Sequence, residues 1–279
     1  ASDVYKRQVI TLKIRSLMEK KILYLLTCVG LCWSSCTNEV DEFIGNVEPS
    51  TRSVSTALNA NLASLFTGGA PTLTSAEIKE VNDAYAKMTS INCYRNIDEA
   101  VRNKTSYAGT IFLDDTYASA YFRKGSLAFP PYGILASSME HEFIHMYQRD
   151  VQGKKVDTDK EKRDTGMMEF ELAFYQGIIR YIHAGYSWTF KGEDGDPSYQ
   201  SLWTSGLTDP SLIPQYEREF QTYVASICAN GKPTSIDINE FVKWSNIFGE
   251  YSRGYSGKGY KFGNYDYGTS CINSLLKLY

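Results

Sequence analysis

Histidine is the scarcest informative residue in this chain, with three among 279. Other absences exclude whole classes of function. Beyond residue 36 there is no C-x-x-C pair, which argues against a thiolate zinc site. There is no internal repeat and no glycine-rich loop of the kind that cradles phosphate. Basic excess is missing too. Six of the 29 Lys/Arg and two of the 32 Asp/Glu precede residue 36, so the remainder carries 23 basic against 30 acidic residues. A chain this acidic is a poor match for a nucleic-acid backbone, and no nucleic-acid partner is expected. What it does have is apolar substance: 43% hydrophobic and 14% aromatic residues, enough to bury a full core.

The N-terminal part reads as an export signal. Lys20 and Lys21 follow Met18, and Ile22 to Trp33 form an apolar run of 12 residues. That is too short to span a bilayer as a helix, which takes about 20. Ser34, Ser35 and Cys36 come next, then a polar acidic stretch. The arrangement resembles a bacterial lipoprotein signal, with Cys36 as the residue cleaved and lipidated, although Trp33 stands where an aliphatic residue is usual. Ordinary secretion with cleavage nearby is the alternative. Residues 1–17 carry no targeting logic and are expected to be a non-native extension; residues 1–8 resemble a translated sequencing adapter. The resulting division is signal peptide 18–35, flexible tether 36–53 and one domain over 54–279, in the cell envelope and anchored through lipid. Of the cysteines beyond residue 36, Cys93, Cys228 and Cys271 are an odd number, so at most one disulfide is expected among them, with the pairing open.

Within the domain, 54–104 reads as helical, and Thr74-Ser75-Ala76-Glu77 matches a capping box. Residues 107–129 read as a small mixed or antiparallel sheet, with a hairpin turning at Arg123-Lys124-Gly125 and stopped by Pro130-Pro131. Helices are expected over 133–185, interrupted by a charged surface loop from Lys154 to Thr165. The part from 212 to 279 is again mainly helical. Its Gly- and Tyr-rich stretch, 252–270, either covers a core or lines a cleft. An acidic turn at 191–196 lacks the full spacing of a calcium loop. The fold class implied is α+β.

Two of the three histidines stand in His141-Glu142-Phe143-Ile144-His145. Residues i and i+4 share a helix face, so both imidazoles can reach one metal ion with the glutamate beside them. Projected at about 100° per residue, Ser138, His141, His145 and Gln148 fall in one sector, and Ala136, Met139, Phe143, Met146 and Tyr147 in the opposite one. The helix is amphipathic, with the histidines on its open side. In the next helix, Glu169, Gln176, Arg180 and His183 form a face that reads as solvated. Glu171 falls among Phe170, Phe174 and Tyr181 on the apolar face. A buried carboxylate needs a partner. Glu171 is therefore expected as the third metal ligand, with Glu169 as the alternative, and His183 as a surface residue.

His141, Glu142, His145 and a glutamate on a following helix resemble the gluzincin branch of the zincin metallopeptidases. Gln148 and Val151 occupy the positions where metzincins carry glycine and a third histidine, which excludes that branch. Glu169-Phe-Glu171 also resembles the E-x-E run of small bacterial H-E-x-x-H proteins, with Leu172 where alanine is common. The resemblance implies a zincin-like fold in which a sheet precedes the active-site helix and its edge strand holds extended peptide. It implies Zn²⁺ as cofactor, a peptide or protein substrate, and Glu142 as the general base that takes a proton from a metal-activated water. The alternative is a catalytically silent zincin-fold surface lipoprotein that binds protein or glycan.

Overall fold

The computed structural model describes residues 57–117, 119–154, 162–183, 210–251 and 260–279. The expected extension, signal, Cys36 and tether lie outside them, as do the acidic turn at 191–196 and residues 252–259 of the tyrosine-rich stretch. The described fold is α+β.

Three helices come first: α1 (Ala60–Leu65), α2 (Ser75–Ser90) and α3 (Asn92–Lys104). The capping box at the start of α2 is formed. The Thr74 hydroxyl accepts from the Glu77 backbone N–H, and the Glu77 carboxylate accepts from the Thr74 N–H. Two otherwise orphaned donors are satisfied, which fixes where the helix begins.

The sheet is small and mixed: β1 (Ile111–Leu113), β2 (Tyr121–Arg123) and β3 (Ser126–Phe129), in the order β1-β3-β2. β2 and β3 form the expected hairpin, with Phe122 opposite Leu127, and β1 runs parallel to β3. The turn residues Lys124 and Gly125 both have positive φ, 51° and 77°. Two such residues in a row match the right-handed twist of the strands they join. Gly109 passes so close to this turn that an added Cβ would collide with the Gly125 carbonyl, so only glycine lets β1 enter beside β3.

Pro130-Pro131 ends the sheet and α4 (Ala136–Met146) follows, continued by a five-residue π-turn, Tyr147–Val151. Met139, Phe143, Met146 and Tyr147 are buried, as the helical projection requires. The next helix, α5, spans Lys162–His183 and so begins inside the expected surface loop. Charge marks that segment as exposed but does not forbid helix, and Lys, Arg and Asp are tolerated in a first turn. Then come α6 (Ile213–Ile227), a two-residue ribbon of β4 (Cys228–Ala229) and β5 (Lys232–Pro233), α7 (Ile238–Tyr251) and α8 (Ser270–Leu276).

One core runs through both halves. α4 packs on α2, α3 and β2, while α5 packs on α4, α6, α7 and α8. Phe170 and Phe174 of α5 lie 5.0 Å apart, and Phe170 sits 5.0 Å from Phe241 while Phe174 sits 5.4 Å from Phe220. Each such ring contributes roughly 1.5–3 kcal/mol through burial, so the back of α5 is anchored firmly while its front meets α4. No disulfide joins Cys93, Cys228 and Cys271. Among the described residues no helix is long and apolar enough to cross a membrane.

Candidate metal centre

α4 carries His141 and His145 one turn apart, and their imidazoles approach edge to face with Nε2 atoms 3.2 Å apart. α5 crosses in front of them and delivers Glu169. Its Oε1 lies 3.3 Å from His145 Nε2 and its Oε2 3.7 Å from His141 Nε2. Two imidazole nitrogens and one carboxylate thus converge, and this is the group of potential metal ligands among the described residues whose donor atoms all fall within 4.8 Å.

The spacing fits a metal. Zinc–nitrogen bonds of about 2.0–2.1 Å in a tetrahedron put neighbouring donors about 3.3–3.4 Å apart. The two imidazole nitrogens, 3.2 Å apart, stand close to that edge, and Glu169 turns one oxygen to each of them, Oε1 at 3.3 Å from His145 and Oε2 at 3.7 Å from His141. Access fits as well, because the side chains of His141, Glu169 and His145 are 23%, 20% and 16% exposed.

Glu171, the expected third ligand, lies elsewhere. It is fully buried, as its place on the apolar face of α5 predicts. Its partners, however, are neutral donors: Gln148 Nε2 at 2.8 Å and the Tyr267 hydroxyl at 2.9 Å, both on Oε2. Burial raises its pKa, opposed by hydrogen bonds from Cys271, Gln148 and Tyr267. The partner that burial demands is a polar network, and Glu169 takes the place at the histidines. Of the α5 face that projects as solvated, Glu169 is turned to the histidines of α4. Gln176, assigned to that face, is buried instead. His183 is exposed at the end of α5, its ring against Tyr279, and takes no part in the cluster.

Glu142 is buried beside the cluster. Burial pushes its carboxyl up to about 8; His145 and the backbone N–H of Phe122 in β2 work against that shift, and the Glu169 charge adds to it. His141 is held down at about 4 by burial and by the charge on His145. Burial also opposes charge on His145, but the Glu169 carboxylate outweighs it and lifts this imidazole to about 9.

These shifts define a pH window for the metal-free protein. A histidine raised from 6.5 to about 9 adds stability that is complete below 6.5 and lost as pH rises through 9. A carboxyl raised from 4.5 to about 8 likewise contributes below 4.5 and loses that contribution as pH rises through 8. The depressed His141 acts in the opposite sense, but only between about 4 and 6.5. The melting temperature in chelator is therefore expected to fall between pH 6.5 and 9. A flat or rising profile in thermal melts over that range would contradict the assigned pairing.

Sequence reasoning did not place Gln148, Tyr267 and Phe122 in roles. Gln148 alone left a trace, in the helical sector it shares with the histidines. Tyr267 lies 96 residues from the carboxylate it meets, a distance no local pattern reaches. No family model matches this chain, and no curated protein or solved structure matches it either.

Proposed function

We propose that this chain is a zinc-dependent hydrolase of peptide bonds, with the metal held by His141, His145 and Glu169 and with Glu142 as general base. The observation that carries the reading is the convergence of two imidazole nitrogens and a carboxylate oxygen within 4.8 Å of one another, with Glu142 next to His141 in the chain. Zinc bound there would polarise a scissile carbonyl and acidify a water. The residues supply the rest. Glu142 accepts the proton of that water at its carboxylate and passes it to the leaving nitrogen. Glu169 balances the charge of the ligand set; His141, held down at about 4, is already neutral at pH 7, whereas His145, lifted to about 9 in the metal-free protein, gives up its proton when a metal binds.

The peptide substrate rests on the resemblance to gluzincins. In keeping with it, β2 is one of the two edge strands of the sheet, packs against α4 and directs the Phe122 N–H at Glu142. An extended chain laid along such an edge would pass beside the base. The zincin-like fold is part of the same proposal. So is an envelope location, with Cys36 as the lipidated anchor.

Purified, metal-replete protein is expected to hold about one zinc per chain and to cleave members of a broad peptide library in a chelator-sensitive way. Protein without zinc by elemental analysis would end the metalloenzyme reading. Zinc without cleavage would favour a silent fold that binds protein or glycan.

A further inference from the structure

Gln148 occupies a position where its amide can be oriented without ambiguity. Its Nε2 lies 2.9 Å from the Met168 carbonyl oxygen and 2.8 Å from Glu171 Oε2, and its Oε1 lies 2.8 Å from His145 Nδ1. A carbonyl oxygen can only accept, so the nitrogen must be the atom facing Met168. Both amide hydrogens are then committed to α5, and the oxygen faces the imidazole. Facing that oxygen, His145 Nδ1 must donate, which leaves Nε2 as the atom directed at His141 and Glu169.

The residue is completely buried, and so is Glu171. Glu171 is in turn held by the Tyr267 hydroxyl at 2.9 Å, and Tyr267 is fixed by Lys154, whose ammonium lies 3.7 Å from its ring centre and donates to its carbonyl oxygen. The π-turn belongs to the same arrangement. Gln148 is its second residue, and its backbone carbonyl accepts from the Lys154 N–H. A single π-turn at the end of an α-helix is uncommon and concentrates at functional sites. Here it accompanies the docking of the Gln148 side chain onto α5.

We propose that Gln148 and Glu171 are positioning residues for the metal centre: Gln148 fixes the tautomer and plane of His145, and Glu171 fixes Gln148. This rests on the metal-site reading above. It also supplies a role for the buried glutamate beside the ligand Glu169 that does not require it to touch the ion. Hydrogen-bond partners of this kind typically change metal affinity by 10–100-fold when removed.

The test uses full-length protein with Zn²⁺ or Co²⁺ alone. Competition with a chromophoric chelator is expected to show 10–100-fold weaker zinc binding for Gln148→Met and for Glu171→Met. Glu171→Gln keeps an acceptor oxygen for the Gln148 amide and is expected to restore affinity to within a few-fold of wild type. In the Co²⁺ form the ligand imidazoles give shifted, exchangeable N–H resonances. One of them is expected to exchange slowly in wild type, because His145 Nδ1–H is buried against Gln148, and rapidly in Gln148→Met. A variant with a lower melting temperature but unchanged affinity, or wild type with two fast-exchanging imidazole protons, would overturn the proposal and leave the metal site standing. Absence of metal binding in wild type itself would overturn both.

Discussion

Glu142→Gln is expected to lower kcat on any peptide that the chain cleaves by roughly 10²–10⁴-fold, the usual contribution of a positioned general base, while zinc stays bound. The substitution isolates the proton transfer. Glutamine has the shape of glutamate and keeps an oxygen that can accept from the Phe122 N–H, but it cannot take a proton from water. The proposed ligands His141, His145 and Glu169 are untouched. The fold should tolerate the change well, because the wild-type carboxyl is buried and pushed up to about 8. In the metal-free protein the neutral form therefore prevails at pH 7, and glutamine mimics it. Between pH 4.5 and 8 the wild-type group ionises in the unfolded chain but stays neutral in the folded one, a loss of stability that glutamine does not suffer and that is complete by pH 8. The variant's metal-free melting temperature should consequently exceed that of wild type at pH 8–9. Turnover by Glu142→Gln at the wild-type rate, with matching zinc content, would remove Glu142 from the chemistry.

The parts of this molecule that could be read from its sequence are those with a short period. The capping box at Thr74, the hairpin at Lys124-Gly125 and the two faces of α4 each depend on residues within a few positions of one another. The same holds for the two histidines, whose spacing is the helical turn itself. What could not be read depends on how elements meet. The polar side of α5 projects as solvated, but a helix can turn a polar residue to a neighbouring helix as readily as to water, as Glu169 does. Glu169 and Glu171, two residues apart, therefore exchanged roles. The buried carboxylate of Glu171 does need partners. Its partners were an amide from the preceding π-turn and a tyrosine from the C-terminal part. Burial identified a constrained residue without identifying the constraint. The tyrosine-rich stretch proved informative in the same indirect way, since Tyr267 covers a core and also holds Glu171.

The exchange of roles makes Glu169→Ala the second decisive variant. It is expected to weaken zinc binding on the order of 100- to 1,000-fold, roughly one ligand's share of the 10–16 kcal/mol typical of a four-ligand protein zinc site. The side chain is partly exposed, so its removal leaves no deep cavity. A second consequence follows from electrostatics and needs no metal. Glu169 is the charge that lifts His145 to about 9 against the effect of burial. Without it, burial is opposed by Glu142 and the Gln148 hydrogen bond but no longer by Glu169, and the imidazole pKa should fall well below about 9. The His145 component of the decline in metal-free stability through pH 9 should shrink accordingly. Histidine resonances followed by NMR across pH 4–10 can register this directly in a chain with only three histidines. Glu171→Gln serves as the contrast, because it alters neither the ligand set nor the charge facing His145. If Glu169→Ala bound zinc like wild type and Glu171→Gln did not, the buried glutamate would have to be the ligand after all, and the geometry at His145 would have to change to reach it.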